Sequence, residues 1–369
     1  MTKLINSILL LSVLFLLNCS NNKINSFNSE LENIEQKYAS DKSIAIFDIE
    51  LVKNRTNWQL KGETTSVQAK ETVLLSTKSI LGNTEFQDSL IVLPHPYLGA
   101  DTLAVVNVSV ANLRRNPSVG AELVDQVVLG DKLRVLKIKN NRWYFVQTEY
   151  GYLGWVTGYS IEQKLAESEW FKNPMAKIIA LNSYIYSEPD MKSDIICDIV
   201  INSKINLIND SSNWSQVALP DGRTGYIQNS DIINVTNVKT EISVEKLIAT
   251  AKSMMGIPYL WGGNSSKMND CSGFTQTVFL AHDMQLPRDA RQQALIGVTV
   301  KYDSTFQNVM PGDLLFFGSD KRITHVGISL GGHQFIQQDG FVMINSFNKN
   351  DDNYSEHRRN GLQLIKRVI

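Results

Sequence analysis

The sequence is poor in cysteine, histidine and proline, and it has no surplus of charge of either sign. Three of its 369 residues are cysteines, Cys19, Cys197 and Cys271, which is too few for a disulfide framework. No CxxC pair occurs and the five histidines show no HExxH spacing, so we expect neither a metal nor another cofactor. Lys and Arg number 36 against 37 Asp and Glu, so no basic field indicates nucleic acid as a partner.

A long apolar run is also lacking at the N-terminus. Lys3 precedes a run from Ile8 to Leu17, which is too short to span a bilayer comfortably and is typical of a secretory signal. The run ends at Asn18-Cys19, so residues 1–19 resemble a bacterial lipoprotein signal, in which the cysteine carries two acyl chains. We therefore expect lipidation at Cys19 and export to a bacterial membrane, facing the periplasm. A plain signal peptide followed by an incidental cysteine is the alternative.

Residues 20–103 show weaker patterns. The polar stretch 20–30 predicts a flexible tether, and apolar spacing predicts a short helix over 29–37. Partial alternation over 44–52 and near Trp58 indicates strands, and a second helix is expected over 66–80. These patterns predict a tether leading to a small α+β segment.

Two repeated β modules follow. Over residues 104–162, short apolar stretches are separated by turn residues, which predicts a small barrel. The predicted strands are Val105–Leu113, Val127–Leu129, Leu133–Ile138, Trp143–Thr148 and Tyr152–Val156. Residues 175–235 repeat the start and the end of this module in weaker form, which predicts a second barrel. Cys197 lies there among isoleucines, as expected of a small buried apolar residue.

A candidate nucleophile lies in residues 243–369. Ser243 predicts the N-cap of one helix, and Asp270 predicts the N-cap of another with Cys271 in its first turn. Backbone N–H groups and the helix dipole there would stabilise a thiolate and lower the cysteine pKa. The same N–H groups could hold an oxyanion. Polar neighbours favour an exposed helix start, whereas a buried cysteine on an apolar helix is the alternative.

A candidate base follows in a predicted hairpin. Alternation from Thr324 to Leu330 predicts a strand in which His325 faces away from the side of Val326, and Gly331-Gly332 predicts the turn. Gln337 lies on the next strand, where its side-chain oxygen can accept a hydrogen bond from the imidazole. The sequence therefore predicts a Cys–His pair oriented by an uncharged third residue.

Several motifs occur together in residues 243–369. They are Pro258-Tyr-Leu-Trp-Gly-Gly, Asp270-Cys-Ser-Gly-Phe, Leu286-Pro-Arg-Asp-Ala-Arg-Gln-Gln, Pro311-Gly-Asp-Leu-Leu-Phe-Phe and Thr324-His-Val-Gly-Ile. In this order they resemble the NlpC-type cell-wall peptidases, which implies a papain-like α+β domain. The resemblance makes Cys271 and His325 the catalytic pair, with Gln337 at the place where most members have His. It also implies that Tyr259 helps an oxyanion and that Ser272, Arg288 and Asp289 line the substrate.

Two SH3-like barrels before such a domain resemble the γ-D-glutamyl-L-diamino-acid endopeptidases. The resemblance implies cleavage after γ-D-Glu in cell-wall stem peptides with a free N-terminal L-Ala, as in peptide recycling. In that architecture the first barrel walls one end of the groove, and Glu122 and Tyr152 would hold the substrate amine together with Asp270. Ala290 stands where the family often has Ser, which removes one substrate hydrogen bond.

Other functions stay open. The chain could be a general murein endopeptidase, or an inactive lipoprotein that binds the wall through its barrels. An acyltransferase or amidase acting on lipids would share the Cys–His chemistry, and the barrels argue against it.

Overall fold

A computed structural model describes residues 21–54, 57–164, 168–235, 242–320 and 322–369. The predicted signal with Cys19 lies outside these residues. Within them, no helix is both long and apolar enough to cross a bilayer. The chain forms two compact units, which meet in sequence between Ala100 and Asp101.

The first unit is a three-stranded sheet with two helices. Its elements are α1 (residues 21–38), β1 (Phe47–Asn54), β2 (Asn57–Thr64), α2 (Val67–Leu81) and β3 (Phe86–Val92). β2 lies in the centre, antiparallel to β1 and parallel to β3. The tether predicted over residues 20–30 is wrong from residue 21 onward. Phe27 and Ile34, seven residues apart on one face of α1, are both buried in the core of this unit and hold the segment as a helix.

The second unit begins with a barrel-like sheet of seven strands. They are β4 (Leu103–Val106), β5 (Val110–Arg114), β6 (Leu123–Val128), β7 (Lys132–Lys139), β8 (Trp143–Thr148), β9 (Leu153–Thr157) and β10 (Ile161–Gln163). Their spatial order is β6-β5-β9-β8-β7-β4-β10. The single strand predicted over Val105–Leu113 is two strands, because the chain leaves the sheet between Val106 and Val110.

A second sheet of seven strands repeats this topology. Its strands are β11 (Met175–Ile178), β12 (Asn182–Tyr186), β13 (Ile195–Val200), β14 (Lys204–Asp210), β15 (Trp214–Ala218), β16 (Thr224–Gln228) and β17 (Ile232–Asn234). The order β13-β12-β16-β15-β14-β11-β17 matches the first sheet strand for strand. This agreement is structural evidence for the internal repeat. Cys197 is half-buried against the core of this second barrel.

The remaining residues form a mixed α+β domain around an antiparallel sheet. Its elements are α3 (Val244–Ser253), α4 (Cys271–Leu280), α5 (Ala290–Gln293), β18 (Val298–Thr299), β19 (Leu314–Ser319), β20 (Arg322–Gly331), β21 (Gln334–Asp339), β22 (Phe341–Ser346), α6 (Glu356–Gly361) and β23 (Leu362–Arg367). The sheet order is β18-β23-β19-β20-β21-β22.

Each face of this sheet carries its own apolar core. Val326 and Ile328 pack on the side of α3 and α4, whereas Phe317 and Phe335 pack with Phe306 on the other side. Val326 and Ile328 share one face of β20, as predicted. The hairpin turn is formed by Gly332 and His333, one residue later than predicted, because Gly331 ends β20 and pairs with Gln334. The Ser243 cap of α3 is confirmed as well, since its side chain accepts from the N–H of Lys246.

Candidate active site

Cys271 is the first residue of the helix α4. Asp270 caps the helix, and its carboxylate accepts the N–H of Gly273 at 2.8 Å, as predicted. The backbone N–H groups of Val326, the residue that follows His325 on β20, and of Ser272 lie near the thiol and act to lower its pKa. The start of α4 therefore lies against the strand that carries the candidate base.

The environment of Cys271 differs from the expected exposed helix start. The residue is only 7% exposed. Burial, and then the negative charge of Asp270, raise the pKa of the thiol to about 12, although the two N–H groups and the charge of Arg288 act in the opposite direction. The predicted lowering of this pKa is wrong, because desolvation outweighs the helix terminus.

His325 is buried beside the predicted third residue. One ring nitrogen, Nε2, lies 2.7 Å from Oε1 of Gln337. Burial, and then the positive charge of Arg358, lower the pKa of His325 to about 4. With a high thiol pKa and a low imidazole pKa, the resting pair at neutral pH is a neutral thiol beside a neutral imidazole.

Tyr259 supplies a hydroxyl next to the nucleophile. Burial, and then the proximity of Cys271 in its ionised form, raise the pKa of Tyr259, so the phenol keeps its proton at neutral pH and can donate it in a hydrogen bond. Its backbone N–H donates to the carbonyl of Gly340 at 2.8 Å, which fixes its place beside the sheet. This position agrees with a donor to a developing oxyanion.

Arg288 and Ser272 were predicted to line the substrate, but both side chains are buried and bonded inside the protein. Arg288 is 2% exposed, and its guanidinium donates to Asp270 at 2.7 Å and 3.0 Å, and to Asp125 of β6 at 2.5 Å. The Ser272 hydroxyl lies between Arg288 and Asp270. Both side chains therefore hold Asp270 in place, because their polar groups already have partners inside the protein.

Glu122 and Asp289 lie at the junction of the first barrel and the peptidase-like domain. Glu122 accepts from Nε of Arg115 at 2.5 Å and from Nε1 of Trp261 at 3.0 Å. The hydroxyl of Tyr152 donates to Asp289 at 3.1 Å. The hydrogen bond to Glu122, and more weakly the charge of Asp289, raise the pKa of Arg115, so these three charged groups lie near one another. The structure thus brings two of the predicted amine-binding residues, Glu122 and Tyr152, next to the predicted substrate-lining Asp289, although the barrel and peptidase segments are over a hundred residues apart.

The barrel packs directly against the loop before the nucleophile. A Cβ on Gly262 would lie 2.5 Å from the carbonyl oxygen of Leu123 in β6, so only glycine permits this approach. The N–H of Gly262 donates to Asp270 at 3.0 Å. The first barrel therefore closes the space beside Asp270.

Sequence reasoning missed a set of polar residues that join the two domains. Asp125 also accepts from the hydroxyl of Tyr150, and Gln126 accepts from the N–H of Asn264 at 3.1 Å. Burial raises the pKa of Asp125 to about 6, although Arg288 and Tyr150 act to lower it. A carboxylate and an amide within the apolar strand Leu123–Val128 were the available signal, since buried charges need partners.

A second missed residue extends the hydrogen bonds of the candidate base. Asn345 on β22 accepts from Nε2 of Gln337 at 2.8 Å. Its own Nδ2 donates to the backbone carbonyl of Asn353 at 3.2 Å. No sequence pattern marks Asn345, because its role depends on contacts across three strands and a loop.

Comparison with known proteins agrees with this arrangement. The model of the NlpC/P60 family matches residues 256–359, and that of the bacterial dipeptidyl-peptidase SH3 domain matches residues 113–161. A γ-D-glutamyl-L-lysine dipeptidyl-peptidase of Bacillus cereus is 26% identical over 228 residues, which cover 58% of this chain and 67% of the relative. Dipeptidyl-peptidase 6 of Lysinibacillus sphaericus is 28% identical over 244 residues, covering 63% and 89%.

The fold has a solved counterpart. A crystal structure of an NlpC/P60 family protein from Bacillus cereus matches with a TM-score of 0.63 and 22% identity, over 72% of this chain and 99% of that one. The chain therefore carries an NlpC/P60 cysteine peptidase domain preceded by a bacterial dipeptidyl-peptidase SH3 domain.

Proposed function

We propose that this protein hydrolyses the γ-D-glutamyl–L-diamino acid bond of peptidoglycan stem peptides that have a free N-terminal L-Ala. Relatives named γ-D-glutamyl-L-lysine dipeptidyl-peptidases, 26% and 29% identical to this chain, support this substrate class. A substrate with a free amine is one already released from the glycan, which fits the recycling of cell-wall peptides.

The observation that carries the proposal is the charge at the junction beside Cys271. Asp125 and Asp270 are buried with Arg288, so two carboxylates and one guanidinium leave one net negative charge. The more exposed carboxylates, Glu122 and Asp289, are each paired with an arginine. A substrate ammonium placed here would neutralise the remaining charge, which favours a free N-terminus over an acylated one.

The Cys–His pair performs acyl transfer in this proposal. His325 takes the thiol proton of Cys271 as the sulfur attacks the γ-carbonyl of D-Glu, and the oxyanion accepts from Tyr259 and from N–H groups at the start of α4. The imidazolium then protonates the leaving amine, and a thioester remains. Water attacks the thioester while His325 accepts its proton, and the thiol is restored.

The test compares three substrates with the purified full chain. We expect cleavage of L-Ala-γ-D-Glu-L-Lys, a loss of roughly 100-fold in kcat/KM when its N-terminus is acetylated, and no cleavage of intact sacculi, because the junction would hold an unpaired charge without the ammonium. Cys271→Ala is the control for the chemistry. Cleavage of sacculi without cleavage of the peptide would instead favour a general murein endopeptidase.

We also propose that Cys19 anchors the protein to a bacterial membrane as an exported lipoprotein. The apolar run before Cys19 and the polar residues after it support this proposal. Radiolabelled palmitate should be incorporated into the wild type and not into Cys19→Ser. Equal labelling of the two would exclude lipidation at Cys19.

A further inference from the structure

The third residue of this site is an amide, and an amide can face an imidazole in two ways. If the oxygen of Gln337 faces His325, the ring nitrogen Nε2 must carry the proton and Nδ1 has a free lone pair. If the NH2 group faces the ring, Nε2 must be unprotonated and Nδ1 carries the proton. Since Nε2 is engaged with Gln337, only Nδ1 can exchange a proton with Cys271. Only the orientation in which the oxygen of Gln337 faces the ring leaves Nδ1 unprotonated and able to accept the proton of Cys271.

The orientation of Gln337 is decided by its second neighbour. The carbonyl of Asn353 can only accept, so the group of Asn345 that points to it at 3.2 Å must be its NH2. The oxygen of Asn345 then faces Gln337, whose NH2 must donate to it at 2.8 Å. The oxygen of Gln337 is left for His325, at 2.7 Å.

The end of this chain of hydrogen bonds is fixed by the backbone. The Asn353 carbonyl also accepts the N–H of Ser346 at 3.0 Å, and the Asn353 side chain donates to the carbonyl of Ile344 at 3.2 Å. Both partners lie on the strand that carries Asn345. Asn353, whose carbonyl orients Asn345, is therefore held in place by two hydrogen bonds to the backbone of β22.

Strand pairing brings the two amides together. Gln337 pairs with Met343 across β21 and β22, so Asn345 is its diagonal neighbour on the same face of the sheet. Gln337 is 1% exposed, which limits the access of bulk water to its amide. A neighbouring protein group is thus needed to fix which of its two orientations the Gln337 amide adopts.

From these contacts we infer that Asn345 is a positioning residue, which orients Gln337 and thereby sets the tautomer of His325 that can receive the Cys271 proton. The inference rests on the Cys–His chemistry of the proposed function and not on the proposed substrate. It also gives a reason for an amide to serve where a histidine is common: a second amide removes the ambiguity of the first.

The experiment observes the tautomer directly. The full chain is labelled with ¹⁵N-histidine, and the ring nitrogens are assigned by NMR, with His325→Gln identifying the signals of His325. We expect the wild type to show Nε2–H with unprotonated Nδ1. Asn345→Leu cannot accept from Gln337, and we expect a mixture of tautomers and a fall of roughly tenfold in kcat with KM changed less than twofold. Asn345→Ala is the second variant if Leu does not fold.

Two further variants separate orientation from packing. Gln337→Glu has two accepting oxygens, so Asn345→Leu in that background should leave the tautomer unchanged. Asn209→Leu removes a comparable amide pair with Gln216 on the second barrel, where the distance is 3.1 Å, and should change neither tautomer nor kcat.

Each outcome decides the inference. If His325 carries its proton on Nδ1 in the wild type, or if both Asn345 variants keep the wild-type tautomer, the inference is wrong. If the tautomer changes as expected while L-Ala-γ-D-Glu-L-Lys is not cleaved by the wild type, the role of Asn345 stands and the proposed substrate fails.

Discussion

At the scale of single residues, the low pKa of His325 links the site to stability. Its pKa of about 4 in the folded protein lies below the value of about 6.5 expected in the unfolded chain. Between these values the unfolded state binds a proton that the folded state does not, so the stabilisation is complete above pH 6.5 and is lost as the pH falls towards 4. We expect the wild type to lose about 3 kcal/mol more than His325→Gln between pH 7 and pH 4.

Urea unfolding at a series of pH values measures this difference. The variant serves as the reference, because carboxylates elsewhere titrate equally in both proteins. If the curves of unfolding free energy against pH were parallel for the two proteins, the pKa of His325 would not be lowered by burial.

Single residues could be predicted where the evidence for them lies in neighbouring positions of the sequence. Cys271 and His325 were found because a helix cap precedes the first and strand alternation surrounds the second. Asp125 and Asn345 were missed because their partners, Arg288 and Gln337, reach them only through the fold. The state of the thiol was misjudged for the same reason, since burial is a property of the packed molecule.

At the scale of elements, the start of α4 depends on a glycine that touches a neighbouring loop. A Cβ on Gly273 would lie 2.1 Å from the carbonyl oxygen of Gly263 and 3.1 Å from Cα of Asn264. We expect Gly273→Ala to force this loop away from the helix, to lower the unfolding free energy by about 3 kcal/mol, and to reduce kcat at least tenfold.

Gly361→Ala is the matched control. Its Cβ would meet only the carbonyl oxygen of Gly318, at 3.8 Å, so we expect little change in stability or activity. Chemical denaturation and peptide hydrolysis measure both effects. A Gly273→Ala protein with wild-type stability and kcat would mean that the loop yields freely.

Elements were predictable where a cap, a turn or a clear period marked them. The caps at Ser243 and Asp270 were predicted correctly, and the β20–β21 turn was predicted to within one residue. The strand β3 was not, because Gln87, Asp88 and Ser89 break the apolar pattern in its middle. β3 pairs in parallel with β2, the central strand of the sheet. This long-range pairing leaves no local pattern in the sequence.

At the scale of the whole molecule, the barrel and the peptidase domain share one buried ion cluster, and this predicts how substrate affinity depends on pH. Protonation of Asp125, whose pKa is about 6, changes the net charge of the Asp125–Arg288–Asp270 cluster from −1 to 0. The attraction for a substrate ammonium then falls. We expect KM for L-Ala-γ-D-Glu-L-Lys to rise roughly tenfold as the pH falls through 6, with a smaller change in kcat.

Asp125→Asn should show the high KM at every pH from 5 to 7.5, because its amide does not titrate in that range. Asp131→Asn is the control, since Asp131 is a partly buried carboxylate of the same barrel that pairs with Lys204 at 3.7 Å and not with Arg288. A stability loss in both variants with a KM change in Asp125→Asn alone would place substrate recognition in the barrel. A KM that stays low in Asp125→Asn would remove the charge argument for amine recognition, because the cluster would then bind substrate equally well when neutral.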